Sequence, residues 1–370
     1  MTRTFSARRA LLLLLAASLP ITAFAACAKG AGDANEPTAG APRAFAMGIS
    51  TLPRELNAQA YADAFKLAGR AGEMVLIQRT PPWQDFLPGA SVAGETADTT
   101  AAEIDAIGDE DLRLFFAIDP TDGATGRDRL AGLPASHEGR DFTDPDVRSA
   151  FASYAEYVAI NYKPVYLALG VEMNLYYQKN QSAFDAFVSL YEETYDRVKA
   201  SAPATQVTVT FQYEDLQSIL PTEDRHFPDW PLIDRFAGRM DVMAISTYPS
   251  FAFSRAADIP DNYYSQLRGF TDKPIVIAEM GFASADSGQG VNNGSEPEQQ
   301  AFVTRILEEA ASLNTPAVIW FAGWDPSYAE GTSFAVFRHI GLITSEGAEK
   351  PAWSTWRTAA LRPYQPPSSD

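Results

Sequence analysis

Two glutamates stand where an apolar run meets a polar turn. Leu169-Gly170-Val171-Glu172-Met173-Asn174 closes one run, and Ile277-Ala278-Glu279-Met280-Gly281 closes another. A carboxyl in such a place is partly desolvated, which raises its pKa unless a partner holds it charged. Two carboxyls in different protonation states are what glycosidic cleavage needs. One is protonated to assist the leaving oxygen, and the other is ionised to attack the anomeric carbon. A separation of about 5–5.5 Å would predict retention of configuration. Other reactive patterns are missing. His137, His226 and His339 are scattered without ligand spacing, so no metal site is expected. No Gly-x-Ser-x-Gly elbow and no EF-hand loop is present, and no cofactor is implied.

The elements that must position the glutamates follow from the apolar runs. Eight occur: Ala44–Ile49, Met74–Gln78, Leu112–Ile118, Val165–Gly170, Val207–Gln212, Val242–Ile245, Ile275–Ala278 and Ala317–Phe321. Most are short and nearly continuously apolar, as parallel strands buried on both faces are. The fifth alternates with Thr and fits least well. Amphipathic segments lie between them, at Ala150–Tyr162, Phe184–Ala200 and Glu296–Leu313. The last opens with Ser295-Glu296-Pro297-Glu298, a capping-box sequence with Pro near the start. Strand onsets recur roughly every 30–50 residues, the size of a βα unit. Eight strands alternating with helices predict a (β/α)₈ (TIM) barrel of the α/β class. A doubly wound sheet is the rival, but no Gly-rich phosphate loop follows the first run. The sequence therefore divides into a signal over 1–26, a flexible tether over 27–43, a barrel over 44–362 and a tail over 363–370.

Barrel active sites lie at the C-terminal ends of the strands, so the polar residues ending each run are the site candidates. The second run ends Gln78-Arg79 with Trp83 nearby, and the third ends Asp119-Pro120. The fifth ends Phe211-Gln212-Tyr213-Glu214, the sixth Ser246-Thr247-Tyr248-Pro249, and the eighth Trp320-Phe321-Ala322-Gly323-Trp324. Glutamates after the fourth and seventh runs, an aromatic after the sixth and Trp after the eighth resemble the clan A retaining glycoside hydrolases. Met240–Pro249 and Val276–Glu279 are similar to segments of the endo-β-1,4-galactanases, and Lys350-Pro351-Ala352-Trp353 to the closing segment of many clan members. The resemblance implies Glu172 as acid/base and Glu279 as nucleophile, with Tyr248 hydrogen-bonded to the nucleophile. The clan's Asn before the acid/base is replaced by Val171; Asn174 follows two residues after Glu172.

Each candidate has a plainer reading. Glu279 could form a rim ion pair with Arg79. Tyr248 could pack on the rim, and Trp320 and Trp324 could be core rather than sugar platforms. Tyr176 and Tyr177 are candidates for an aromatic wall beyond Glu172. Trp83, Tyr213 and Asn174 complete the substrate-binding set. Arg79 and Asp119 fit support of the site better than catalysis, and Glu214 is an alternative acid. The expected activity is retaining β-glycoside hydrolysis. The rivals are a glycan-binding lipoprotein on an inactive barrel, motivated by Val171, and a barrel whose two glutamates bind a metal.

Charge and the N-terminus bound the setting. The formal net charge is −18. Such a surface repels phosphate backbones, so nucleic acid is not an expected partner, whereas a neutral carbohydrate meets no penalty. Arg3, Arg8 and Arg9 precede an apolar stretch that begins at Leu11 and ends in small residues, the form of an export signal. Cys27 is the only cysteine and stands at the position of a lipobox cysteine. Lipidation there would be the only membrane link, for a monomer in the cell envelope; cleavage after Ala25 would instead give a secreted protein.

Overall fold

The computed structural model describes residues 40–123 and 126–366. The export signal, Cys27 and most of the tether and tail lie outside the described residues.

Nine parallel strands follow in chain order: β1 Ala46–Ser50, β2 Met74–Arg79, β3 Arg113–Ile118, β4 Tyr166–Ala168, β5 Gln206–Thr208, β6 Thr210–Gln212, β7 Met243–Thr247, β8 Ile275–Met280 and β9 Ala317–Trp320. The hydrogen-bonded order is β5-β4-β3-β2-β1-β9-β8-β7-β6. The two ends of that order are consecutive in the chain, separated only by Val209. They are halves of the fifth predicted strand, so the sheet closes into a barrel of eight strand positions. The Thr alternation that made this run a poor match has a local cause. Thr208 donates from Oγ1 to the Val242 carbonyl (2.7 Å), and Thr210 Oγ1 accepts from the Glu172 amide (2.9 Å). These hydroxyls satisfy backbone groups of neighbouring strands at the barrel's inner wall.

The helices between strands are α1 Ala58–Ala71, α2 Trp83–Phe86, α3 Gly94–Asp109, α4 Pro145–Tyr162, α5 Met173–Lys179, α6 Gln181–Ser201, α7 Tyr213–Leu216, α8 Pro231–Asp234, α9 Glu296–Ser312 and α10 Pro351–Ala360. The three helices read from the sequence are α4, α6 and α9. Asp144 caps α4 by accepting from Asp146 and Val147, with Pro145 at its first position. At α9 only half of the capping box forms. Ser295 accepts from the Glu298 amide (3.4 Å), but the Glu298 carboxylate accepts instead from the Ala256 amide (2.7 Å). That bond ties the β7–β8 connection to α9. This connection is built of 3₁₀ turns, at Pro249–Phe251, Ala256–Asp258 and Ser265–Gly269, where an ideal barrel has a long helix.

Alternation along the strands separates two cores. Met74, Leu76, Phe115, Tyr166, Ala168, Ala244, Val276 and Ile319 fill the barrel. Val75, Ile77, Phe116, Leu167, Ile245, Ile277 and Trp320 pack outward on the helices. Val171 belongs to the inner set. Arg43 and Tyr364, read from the sequence as tether and tail, form a parallel bridge. Arg43 donates to Glu73 Oε1 (2.7 Å), and Arg113 donates to the Tyr364 hydroxyl (2.9 Å). The folded unit thus reaches past both expected boundaries.

Candidate active site

Glu172 follows β4 in a left-handed conformation, φ 51° and ψ 47°. For a residue with a Cβ this costs on the order of 1–3 kcal/mol. The chain is held there by the hydrogen bond that the Glu172 amide donates to Thr210 Oγ1 and by the close packing at Gly170. A Cβ on Gly170 would lie 2.7 Å from Met173 and 2.9 Å from Phe187. Glu279 is aimed differently. In β8 the register skips, pairing Ile277 with Ile245 and Glu279 with Ser246. Strict alternation from the inward Val276 and Ala278 would turn Glu279 outward. The bulge re-aims it to the barrel mouth, a common use of such irregularities.

The two carboxyls have different surroundings. Glu172 is 1% exposed. Its Oε2 accepts from Arg127 Nε (3.0 Å) and its Oε1 from Ser246 Oγ (2.6 Å). Arg127 is completely buried and also donates to Asp119 Oδ1 (2.6 Å) and Thr121 Oγ1 (2.8 Å). Asp119 Oδ2 in turn accepts from Gln78 Nε2 (3.0 Å). Burial opposes the Arg127 charge, but the Asp119 and Glu172 carboxylates outweigh it and raise its pKa. Arg127 Nη2 has no hydrogen-bond partner among the described residues.

Glu279 is 3% exposed and accepts from the Tyr248 hydroxyl. Burial, and next the negative charge of Glu172, push its carboxyl up to about 8; the Tyr248 hydrogen bond and the Arg127 charge pull the other way. The pair is thus electrostatically joined, burial and the neighbouring negative charge both favouring the protonated form of Glu279. Tyr248 itself is raised, by burial and then by Glu279. An apolar cluster covers this centre. Phe337 packs on the Tyr248 ring at 5.0 Å between centroids, and Phe321 and Phe251 pack on the same ring. Phe334, Val336 and Ile340, from the connection after β9, extend it.

The structure therefore brings Glu172, Glu279, Tyr248 and Asp119 together and leaves the other candidates elsewhere. Asn174 is fully buried. It donates to the Gln212 carbonyl (3.0 Å) and Asp215 (2.7 Å) and accepts from the Gln212 amide (2.8 Å), so its amide locks α5 to β6. Tyr176 packs on Phe142 in the outer core, and Tyr177 on Phe184. Tyr213 is buried against Tyr263 and Tyr264. Trp320 follows the inward Ile319 and so points outward, between Phe302 and Trp356, its Nε1 donating to the Ile340 carbonyl (2.9 Å). Trp324 is half-buried under Arg54. Arg79 pairs with Glu103 rather than Glu279, and Trp83 donates to the Ala131 carbonyl (2.7 Å). Glu214 is buried and accepts from Gln212, Thr247, Tyr263 and the Tyr248 amide, a structural anchor for the strand ends.

Arg127 and Thr210 escaped the sequence reading, which places Ser246 at a strand end without giving it a role. Ser246 sits two residues before Tyr248 on an inward strand position, which alternation from Ala244 would have found. Arg127 lies in the connection after β3 with a positive φ of 65°, and no periodicity points to it. One group among the described residues could ligate a metal, His137 with Asp144 and Asp146 at the start of α4. Asp144 there already caps the helix and pairs with Arg140.

No protein-family model and no curated protein sequence matches this chain. Solved structures are similar. A GH5_18 protein from Bifidobacterium longum subsp. longum, in complex with Manβ1-4GlcNAc, aligns with TM-score 0.62 and 18% identity over 87% of this chain and 80% of its own. An exo-β-1,4-mannosidase from Opitutaceae bacterium strain TAV5 aligns with TM-score 0.64 and 16% identity, over 86% of this chain and 59% of its own. The β-glycosidase BGL167 aligns with TM-score 0.62 and 12% identity, over 89% of this chain and 99% of its own. The fold is thus the (β/α)₈ barrel that these glycoside hydrolases share.

Proposed function

We propose that this chain is an exported retaining β-glycoside hydrolase, with Glu279 as nucleophile and Glu172 as acid/base. The observation that carries this reading is the joined pair itself. Two carboxyls at the ends of β4 and β8 interact, Glu172 raising the Glu279 pKa, and are braced by Arg127 and Tyr248 respectively. Attack requires Glu279 ionised and Glu172 protonated. Positive charge developing at the anomeric carbon favours the ionised form of Glu279, and the protonated Glu172 then serves the leaving oxygen. In the second step Glu172 takes a proton from water, which opens the glycosyl ester.

The substrate class follows from charge and likeness together. A strongly acidic protein suits a neutral glycan. Both the complexed disaccharide and the mannosidase named above concern β-1,4-linked mannose, and the sequence resembles β-1,4-galactanases. Neutral β-1,4-linked glycans are therefore the substrates to screen. Lipidation at Cys27 would hold the enzyme at the cell envelope as a monomer.

A second reading, a glycan-binding barrel without turnover, is favoured by the near-complete burial of both carboxyls and by the Arg127 ion pair on Glu172. Nucleophile rescue separates the two. Glu172→Ala should still form the covalent intermediate from a nitrophenyl glycoside, then stall for want of a base. Azide should restore turnover and yield a β-glycosyl azide. Azide with Glu279→Gly should give the inverted product. Glycan binding without any cleavage by the parent would select the second reading.

A further inference from the structure

A cavity of about 420 Å³ opens between the C-terminal ends of β1 and β2 and the helices α1 and α3. It spans the rim of the barrel wall, with the inward Gln78 and the outward Arg79 both in its lining. The strand residues preceding Arg79 alternate, with Leu76 inward and Ile77 outward, so Arg79 points outward into this space. Protein interiors keep few voids of this size, because unfilled volume is destabilising. A lined opening of several hundred Å³ with a few fixed polar groups is instead the usual form of a small-molecule site.

The floor is fixed by a buried network. Glu103, 1% exposed, accepts from Arg79 Nη1 (3.2 Å) and Nη2, from the Tyr61 hydroxyl (2.5 Å) and from the Tyr162 hydroxyl (2.5 Å). Tyr162 also bonds Thr100 (3.3 Å). These bonds immobilise the guanidinium and neutralise it. Arg79 nevertheless keeps 27% of its side chain exposed. The lining mixes apolar groups, Leu52, Pro81, Pro82 and Phe321, with the hydroxyl and amide groups of Thr96, Thr99 and Gln78; Thr96 Oγ1 already donates to Asp85 (2.5 Å). The remaining charged lining, Asp85 and Glu95, is negative, so an anionic ligand would be repelled. The Tyr328 hydroxyl, also in the lining, is buried without a hydrogen-bond partner among the described residues. A buried hydroxyl left so is costly unless a ligand or water meets it.

Two features join this cavity to the carboxyl pair. Phe321 lines the cavity and also packs on the Tyr248 ring that serves Glu279. Gln78 lines it and begins the chain Gln78–Asp119–Arg127–Glu172.

We propose that this cavity is a binding site for one neutral pyranose unit of the glycan on which the enzyme acts, held between the proline-lined wall and the α3 hydroxyls. The inference rests on the glycoside hydrolase reading. An uncharged ring with an apolar face and a hydroxyl-bearing edge matches this mixed lining, and the volume admits a single sugar residue with water. Occupation would also give the Tyr328 hydroxyl its partner.

The test uses the full mature chain carrying Glu279→Gln, which is to bind without cleaving. β-1,4-Linked manno-, gluco- and galacto-oligosaccharides of two to six units are titrated by calorimetry. Thr99→Trp fills the cavity from α3, and Ala93→Trp fills it from the exposed rim should the first variant fold poorly. Each should weaken the best-bound oligosaccharide at least tenfold while the melting temperature holds. Unchanged affinity in both variants overturns the cavity proposal; if the parent still cleaves the glycan, the hydrolase reading stands without it. A parent that neither binds nor cleaves any of these glycans removes both. Tighter binding of glucuronate than of glucose, abolished by Thr99→Trp, would overturn the neutral ligand.

Discussion

Arg127 Nε lies 3.0 Å from Glu172 Oε2, and both side chains are withdrawn from solvent, at 0% and 1% exposure. The same guanidinium pairs with Asp119 at 2.6 Å. Two carboxyl groups thus sit dry around one cation. Removing the cation alone leaves two carboxylates unpaired. Arg127→Met should destabilise the fold by about 3–5 kcal/mol, the scale for breaking a buried pair by losing one partner. Urea unfolding at neutral pH checks it. Restoring much of that loss with Asp119→Asn added would assign the cost to unpaired charge, and no restoration would assign it to lost packing.

Glu279 gives stability a pH dependence with a definite sign. Its carboxyl is pushed up to about 8 in the folded chain, by burial and then by Glu172, from an ordinary value of 4.5. Between these values the folded state holds a proton that the unfolded state has released. Stability therefore falls as pH rises from about 4.5 through 8, and the group's contribution is fully present only below the unfolded value. Unfolding by urea at pH 5.5 and pH 8 should show a loss on the order of a few kcal/mol in the parent. Glu279→Gln should lose much less over the same window. An equal loss in both proteins would place the titration elsewhere.

Tyr248 works against that shift, because its hydroxyl donates to the ionised form of Glu279. Tyr248→Phe should raise the Glu279 pKa further. The acidic limb of the pH–rate profile should move to higher pH, and turnover at pH 7 should fall about ten- to a hundredfold, the scale of one hydrogen bond to a charged group. A profile lowered without any displacement would contradict this role.

Trp320 stands between the barrel and its helices, so its loss should read as a stability change. Trp320→Ala should cost about 3–5 kcal/mol, measured by denaturant unfolding. At saturating substrate and low temperature, the fraction still folded should bind glycan as the parent does. Weakened binding without destabilisation would return Trp320 to the site.

Cys27 lies outside the described residues, and its modification is read at the N-terminus. Mass spectrometry of the mature protein should find a diacylglyceryl adduct on Cys27. An unmodified start at Ala26 would leave a secreted enzyme.

Buried parallel strands must be apolar on both faces, and that requirement is local. All eight runs, the helices α4, α6 and α9 and the two glutamates at strand ends were therefore legible in the sequence. So was Tyr248, because its position after a strand end follows from the same spacing. Direction around the barrel was not legible. Trp320 and Glu279 both stand at strand ends, yet one points to the helices and the other to the mouth. A one-residue bulge in β8 makes that difference, and bulges leave no periodic trace. Asn174, Tyr176 and Tyr213 were read as site residues because they follow strand ends, but their side chains complete the packing of α5 and α7. Arg127 came from a connection with no pattern at all. Its meeting with Glu172 spans 45 residues and exists only once the barrel closes, because a buried charge finds its partner by three-dimensional proximity. The sequence thus determined the strands and the chemistry they could carry. The tertiary structure decided which side chains share the mouth, and in which charge state.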